Sequence, residues 1–301
     1  MALDNGRFFH VNVNCSDLER SRRFYVDGLG LEAAVRTAAG EVQPGAAFGL
    51  ERAQWDAWIL LGPRGFEGGA IDLLEWQEPA PRGTPPSGLN QCGYQRVGIL
   101  VPDLDAAIAG AHAHGGATWS DPLAHSNPDG SEIRIVLGND PDGTALELVE
   151  SDGPRTAFAA IACADLEASI AFYRALGFRD VARFPSTSDD GAHLHLDGRV
   201  EMEEVLLLPP TKSDMYFMLV GFSAPPPVPS PPRPANTLGM WRSALLVTDL
   251  DAAYAELGRL GITTLSPPTA LAMGPGLPEL RFVCFPGPDG EIVELIEQPA
   301  E

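Results

Sequence analysis

The stretch Phe8-Phe9-His10-Val11-Asn12-Val13-Asn14-Cys15-Ser16-Asp17-Leu18-Glu19-Arg20-Ser21-Arg22-Arg23-Phe24-Tyr25, closing at Leu29-Gly30, decides the fold. Residues 8–15 read as a strand, and Asp17 is placed to cap a helix carrying Phe24, Tyr25 and Leu29 on its apolar side. A second copy lies at Ala160-Ile161-Ala162-Cys163-Ala164-Asp165-Leu166-Glu167-Ala168-Ser169-Ile170-Ala171-Phe172-Tyr173, closing at Leu176-Gly177. Asp17 and Asp165 are 148 positions apart, and so are Phe24 and Phe172, which marks an internal duplication.

Between these copies the same order of elements returns. Leu31–Arg36, Trp55–Leu61 and Ala70–Trp76 read as strands bounded by Gly and Pro turns, which makes one β-α-β-β-β module. Residues 77–94 are too rich in Pro and Gly for anything but a linker. Gln95–Val101, a helix opened by Asp103-Leu104-Asp105-Ala106-Ala107, and strands at Glu132–Leu137 and Thr144–Glu150 joined by Pro141-Asp142-Gly143 form a second module. A third follows with strands near Val181–Pro185, His193–Leu208 and Tyr216–Phe222. After the linker Ser223–Gly239, a fourth runs from Trp241–Val247 through Asp249-Leu250-Asp251-Ala252-Ala253 to Pro288-Asp289-Gly290 and Glu291–Leu295. The fold class expected is α+β, four tandem β-α-β-β-β modules in two domains at 1–151 and 152–301.

The 301 residues suffice for two domains with cores of their own. Asp plus Glu number 41 against 20 Lys plus Arg, and the net charge of −21 argues against nucleic acid and anionic membrane as partners. The four cysteines form no CxxC pair and no disulfide framework; Cys15 and Cys163 stand at equivalent strand ends and read as small buried residues. The N-terminal residues lack an apolar signal core and no apolar run approaches a membrane span, so a cytoplasmic protein is expected.

Asp-Leu-Glu-x-Ser-x-x-Phe-Tyr followed by Leu-Gly, the Asp-Leu-Asp-Ala-Ala openings and the Pro-Asp-Gly turns leading into acidic strands resemble the vicinal oxygen chelate superfamily, which includes glyoxalase I, bleomycin-resistance proteins and extradiol dioxygenases. The resemblance spans nearly the whole chain. It implies that modules pair into cup-shaped sheets around a small-molecule ligand, with metal ligands on the first and last strands of each module. The first-strand slots are then His10, Arg96, Phe158 and Arg242; the last-strand slots are Asp72, Glu147, a residue near Met218, and Glu294. Pairing within each half puts His10, Asp72, Arg96 and Glu147 in an N-terminal working cup, and Phe158, Arg242 and Glu294 in a C-terminal one that is structural or a pocket reading shape alone, with Arg242 and Glu294 as its candidate substrate contacts.

Arginine has no lone pair for a metal, and its natural partner is the carboxylate of the adjacent last strand. Arg96 is therefore expected to pair with Glu147, and Arg242 with Glu294. Three readings of the N-terminal cup follow. His10, oriented by Asp72, carries metal-independent acid–base chemistry, with Arg96 binding a substrate oxygen. Alternatively the cup binds a drug or intermediate without turning it over. In the third reading His10, Asp72 and Glu147 hold a divalent metal for a dioxygenase, lyase or isomerase reaction. No cofactor is required by the first two. Trp58 is a candidate ring-stacking contact for the ligand. His193 and His195, two apart on one expected strand, share a face but lack a carboxylate partner, and His112, His114 and His125 are placed on a helix surface or loop. A monomer and a homodimer are both compatible with the chain.

Overall fold

Each module begins with a strand that turns into a helix, and the same cap makes the turn four times. Asp17, Asp103, Asp165 and Asp249 are extended, and each Oδ1 accepts from the backbone N–H three residues on, at 2.9, 2.9, 3.0 and 2.8 Å. Such a cap satisfies a donor the helix itself leaves free. The structure, a computed structural model, describes residue 3 and residues 6–126 and 132–298.

Module one comprises β1 (Arg7–Asn14), α1 (Leu18–Arg23) with one π turn at Phe24–Gly28, β2 (Glu32–Ala38), the short β3 (Gln43–Pro44), β4 (Arg52–Leu61) and β5 (Ala70–Glu78). Module two has β6 (Gly93–Val101), α2 (Leu104–Ala113), β7 (Ala117–Thr118), β8 (Leu123–Ser126), β9 (Glu132–Asn139) and β10 (Ala145–Glu150). Module three has β11 (Arg155–Cys163), α3 (Leu166–Ala175), β12 (Arg179–Ser188), β13 (Val200–Leu208) and β14 (Tyr216–Ala224). Module four has β15 (Gly239–Val247), α4 (Leu250–Arg259), β16 (Thr269–Leu271), β17 (Leu280–Pro286) and β18 (Ile292–Glu297).

These strands form two mixed nine-stranded sheets among the described residues. One runs β16-β17-β18-β15-β1-β5-β4-β2 with β3 on β4; the other runs β12-β13-β14-β11-β6-β10-β9-β7 with β8 on β9. Within every module the first and last strands are parallel neighbours, and the modules meet through antiparallel first strands, β1 with β15 and β11 with β6. The halves 1–151 and 152–301 thus do not each wrap a cavity, as pairing within each half would require. Module one shares its sheet with module four, and module two with module three.

What joins the modules within a half is the helix-to-turn contact. Tyr25 donates its hydroxyl to Asp140 at 2.9 Å, and Ser16 Oγ donates to Asp142 at 2.6 Å in the Pro-Asp-Gly turn of module two. The second half repeats this: Tyr173 donates to Glu291 at 2.6 Å and Ser169 to Asp289 at 2.7 Å. Burial pushes the Asp140 carboxyl up to about 6 and that of Glu291 up to about 7, against the hydrogen bonds that favour their charged forms. The largest core cluster draws on both sheets, with Phe8, Val11, Ile99, Ile161, Phe217 and Leu245 among its members, so the sheets share one core at their backs. Each concave side carries its own smaller apolar cluster.

The two Pro-rich linkers are pinned to each other. Arg82 N–H donates to Asn236 O and Leu238 N–H to Arg82 O; Cys92 N–H donates to Val228 O and Val228 N–H to Asn90 O. The strand expected over His193–Leu208 is broken: Ala192–Leu194 is a short 3-10 turn, and His195 has φ 53°, a left-handed conformation. His193 and His195 therefore do not share a strand face, and the His195 ring stacks on Trp119 at 3.8 Å instead. The side chain of His125 lies outside the described residues. Among the described residues no helix is long and apolar enough to cross a membrane.

Candidate active site

In the sheet of modules one and four, two bulges decide which side chains reach the concave face. Phe8 pairs with Leu245 but His10 with Ala244, which leaves Phe9 as an extra residue on β1. Val11 pairs with Ser243 and Val13 with Met240, which leaves two residues of β15, Trp241 and Arg242, opposite the single Asn12. A bulge breaks the alternation and re-aims a side chain. Here Phe8 goes to the core behind the sheet while Phe9 and His10 both face the cavity. Parallel pairing then puts Asp72 of β5 beside Asn12, and Glu294 of β18 beside Ala244.

Three polar side chains, His10, Asp72 and Glu294, gather around Arg242. Its Nε donates to Glu294 Oε2 at 2.9 Å and its Nη2 to Asp72 Oδ2 at 2.6 Å, while its Nη1 is buried without a hydrogen-bond partner. His10 Nε2 lies 3.4 Å from Glu294 Oε2 and 3.9 Å from Asp72 Oδ2, yet neither ring nitrogen makes a hydrogen bond. All four side chains are at least nine-tenths buried. Burial opposes the Arg242 charge, but Glu294 and then Asp72 outweigh it and hold the guanidinium above arginine's ordinary value. Burial would likewise raise the Glu294 carboxyl; Arg242 and then His10 more than offset this and hold it below the ordinary glutamate range.

Above this cluster opens a cavity of about 260 Å³. Its walls are apolar, with Phe9, Phe48, Trp55, Phe66 and Phe282 supplying rings and the 273–280 segment supplying Met273, Leu277 and Pro278. Phe66, 43% exposed, stacks on Phe9 at 5.9 Å. An apolar pocket with a few convergent polar groups is the usual form of a small-molecule site.

The sheet of modules two and three builds the same plan with different side chains. Its bulges fall at Ala157 and Gln95, so Phe158 stands where His10 stands and Arg96 where Arg242 stands. Arg96 Nε donates to Glu147 at 2.6 Å, Nη2 to Glu204 at 2.5 Å, and Nη1 to Gln95 Oε1. This cluster lies in a cavity of about 420 Å³ that includes Phe158, Tyr216 and Met218.

The pairs Arg96–Glu147 and Arg242–Glu294 form as the spacing anticipates. The grouping of the slots does not: His10 and Asp72 join Arg242 and Glu294, while Arg96 and Glu147 lie in the other cup. Asp72 does not orient the His10 ring, because its Oδ2 is taken by Arg242 and Glu294 is nearer. Trp58 packs against the core behind the sheet, with Arg36 over its ring at 5.9 Å, and Trp55 is the tryptophan of β4 that faces the cavity. Glu204 escaped the slot count because it sits on β13 rather than a last strand. Its signal is the alternation Met202, Glu204, Leu206, which puts a carboxylate on an otherwise apolar strand face.

The metal set His10, Asp72 and Glu147 is not assembled, since Glu147 belongs to the other sheet. His10, Asp72 and Glu294 do meet, but Arg242 already donates to both carboxylates and sets a fixed positive charge among them. No group of three or more His, Cys, Asp or Glu among the described residues is arranged to hold a metal ion. The donor set does not fit a divalent metal.

A family model described as the Glyoxalase/Bleomycin resistance protein/Dioxygenase superfamily matches residues 7–148 and 155–295. Glyoxalase I from Zea mays superposes with a TM-score of 0.65 at 19% identity, covering 97% of this chain and 92% of that one, a likeness of fold. YaeR of Escherichia coli (strain K12) is 29% identical over 144 residues, and YwkD of Bacillus subtilis (strain 168) is 28% identical over 144 residues. Each match covers 47% of this chain, and 93% and 94% of those proteins respectively.

Proposed function

Because this chain belongs to the Glyoxalase/Bleomycin resistance protein/Dioxygenase superfamily, we propose that the cup of modules one and four is a catalytic pocket running metal-independent acid–base chemistry. Its substrate is a small, mainly apolar, ring-bearing molecule with a carbonyl or hydroxyl oxygen. The observation that carries this reading is His10: a buried imidazole facing the cavity, with both ring nitrogens free of hydrogen bonds and a carboxylate 3.4 Å away. In water-poor surroundings such a group is held ready for a donor or acceptor supplied by the ligand.

Arg242 Nη1, buried without a partner in a side chain that lines the cavity, is the donor this reading assigns to the substrate oxygen. His10 takes a proton from the carbon next to a carbonyl, and the electron pair moves onto that oxygen, where Arg242 stabilises it. The imidazolium so formed is balanced by Glu294 and either trades its proton with solvent before returning one to the same carbon or delivers it to the neighbouring atom. Exchange or isomerisation results, with no external oxidant or reductant.

A second reading, sequestration without turnover, is favoured by the near-absence of polar wall and by the fact that both carboxylates are already engaged by Arg242. One experiment separates the two. Aryl and alkyl ketones and ketols are first ranked by binding, and the binders are then incubated with the protein in D2O and followed by proton NMR. Loss of the α-proton signal, slowed about 100-fold or more in His10→Gln, is expected for the catalytic reading. Tight binding with no exchange and full recovery of the compound defeats it in favour of sequestration.

A further inference from the structure

The two cups share a plan of two carboxylates about one arginine, and they differ in the fourth corner. In the cup of modules one and four, Asp72 and Glu294 flank Arg242, and the His10 ring stands 3.9 and 3.4 Å from them at the fourth corner. In the cup of modules two and three, Glu147 and Glu204 again face one arginine, but Phe158 occupies the position of His10. Phe158 lies flat over Gly98, where an added Cβ would come within 2.0 Å of the ring, and stacks with Tyr216 at 5.4 Å. Two carboxylates thus share one arginine in a cavity whose remaining lining is mostly apolar, with His193 at its wall.

The free hydrogen-bonding valences point the same way. Each nitrogen of Arg96 is engaged, by Glu147, Gln95 and Glu204. Among the described residues Glu147 Oε1, Glu204 Oε2 and the Tyr216 hydroxyl have no partner, and all three side chains line the cavity. Burial and then Glu147 press the Tyr216 hydroxyl toward its protonated form, with Glu204 adding to them and Arg155 and Arg96 opposing. The cup thus has acceptors to offer, while each Arg96 nitrogen is already held by a protein oxygen, so it suits a hydrogen-bond-donating cation better than an anion.

From this we infer that the cup of modules two and three is a second ligand site, for a small organic ammonium ion with an apolar body. The ammonium lies between Glu147 and Glu204, in the cup whose fourth corner holds no polar side chain, while the body rests on Phe158 and Tyr216.

The test is calorimetric titration of the full chain at pH 6 with phenethylamine, and with 2-phenylethanol and phenylacetate as neutral and anionic analogues. Saturable binding of the amine is expected, at least tenfold tighter than either analogue. It should be weakened tenfold or more in Glu204→Gln and in Phe158→His, which puts a polar ring where the ligand's apolar body rests, and kept in His10→Gln. Circular dichroism confirms that each variant is folded, and if one is not, the other decides. Equal binding of amine and alcohol, no binding of the amine, an unchanged affinity in a folded Glu204→Gln, or a loss confined to His10→Gln would each overturn the inference.

Discussion

Replacing Arg242 by methionine keeps much of its length and removes its charge. Two carboxylates, Asp72 and Glu294, with side chains 6% and 4% exposed, then stay behind in a cavity that gives them no other cation but His10. Removing one partner from a buried ion pair costs roughly 3–5 kcal/mol, because the remaining charge keeps its desolvation penalty. At about 2–4 °C per kcal/mol for chains approaching this length, melting should fall by on the order of 10 °C at pH 8. The loss must depend on pH in a set direction. In the native protein the Glu294 carboxyl is held below its ordinary value, so its contribution is present at neutral pH and disappears as pH falls through that lowered value. Without Arg242, burial dominates and raises the same carboxyl, so the variant loses stability as pH rises above the usual carboxylate range. Urea denaturation of both proteins at pH 5 and pH 8 measures this. The difference between them should shrink at pH 5, and Glu294→Gln added to Arg242→Met should restore part of the loss at pH 8. Arg36→Met, which breaks a pair whose arginine is 55% exposed, serves as the control and should cost less than about 1 kcal/mol. If Arg242→Met behaves like Arg36→Met and shows no pH dependence, the guanidinium does not neutralise the two acids.

Three further outcomes are expected. Glu291 and Asp140 have folded values of about 7 and about 6, above the ordinary carboxylate range, so the stability they contribute is complete below that range and lost as pH rises through those values; Glu291→Gln should flatten this fall between pH 5 and 8 in urea midpoints, and an unchanged slope would assign it elsewhere. Gly98→Ala drives a methyl into the Phe158 ring and should cost about 1–3 kcal/mol in the same assay while leaving binding in the cup of modules one and four intact; a stability unchanged within error would show that Phe158 moves freely. Trp55→Phe should weaken ligand binding in the cup of modules one and four several-fold and Trp58→Phe should not, as measured by titration with any compound found to bind there, and equal effects would contradict the strand orientation.

Features set by neighbouring residues were legible in the chain. The aspartate caps, the strand-to-helix openings and the Pro-Asp-Gly turns are local, and so are the pairings Arg96–Glu147 and Arg242–Glu294, because first and last strands of one module lie side by side. Which modules share a sheet is not local. The repeat gives every module the same edge to offer, and the choice is made by helix-to-turn contacts such as Tyr25 with Asp140, which place modules one and two back to back instead of edge to edge. That one choice moved His10 away from Arg96 and beside Arg242. The bulges at Phe9 and Trp241 were hidden for a related reason: alternation predicts a face only where the ladder is unbroken, and an inserted residue is visible only against its partner strand. Glu204 lay outside the repeat's logic altogether, since the equivalent of Asp72 in module three is Met218 and the acid is supplied from the next strand.

The exchange of modules between sheets has a consequence for how the cavities differ. A protein built from two identical halves on this plan would have two identical pockets, each combining an odd-numbered module with an even-numbered one. Here the even-numbered modules have stayed alike, each contributing an arginine and a glutamate, Arg96 with Glu147 and Arg242 with Glu294. At these four slots the divergence lies in the odd-numbered pair, where histidine and aspartate in one copy correspond to phenylalanine and methionine in the other. A constant charged floor is thus combined with interchangeable walls, so one duplication can evolve two chemical appetites without rebuilding either foundation.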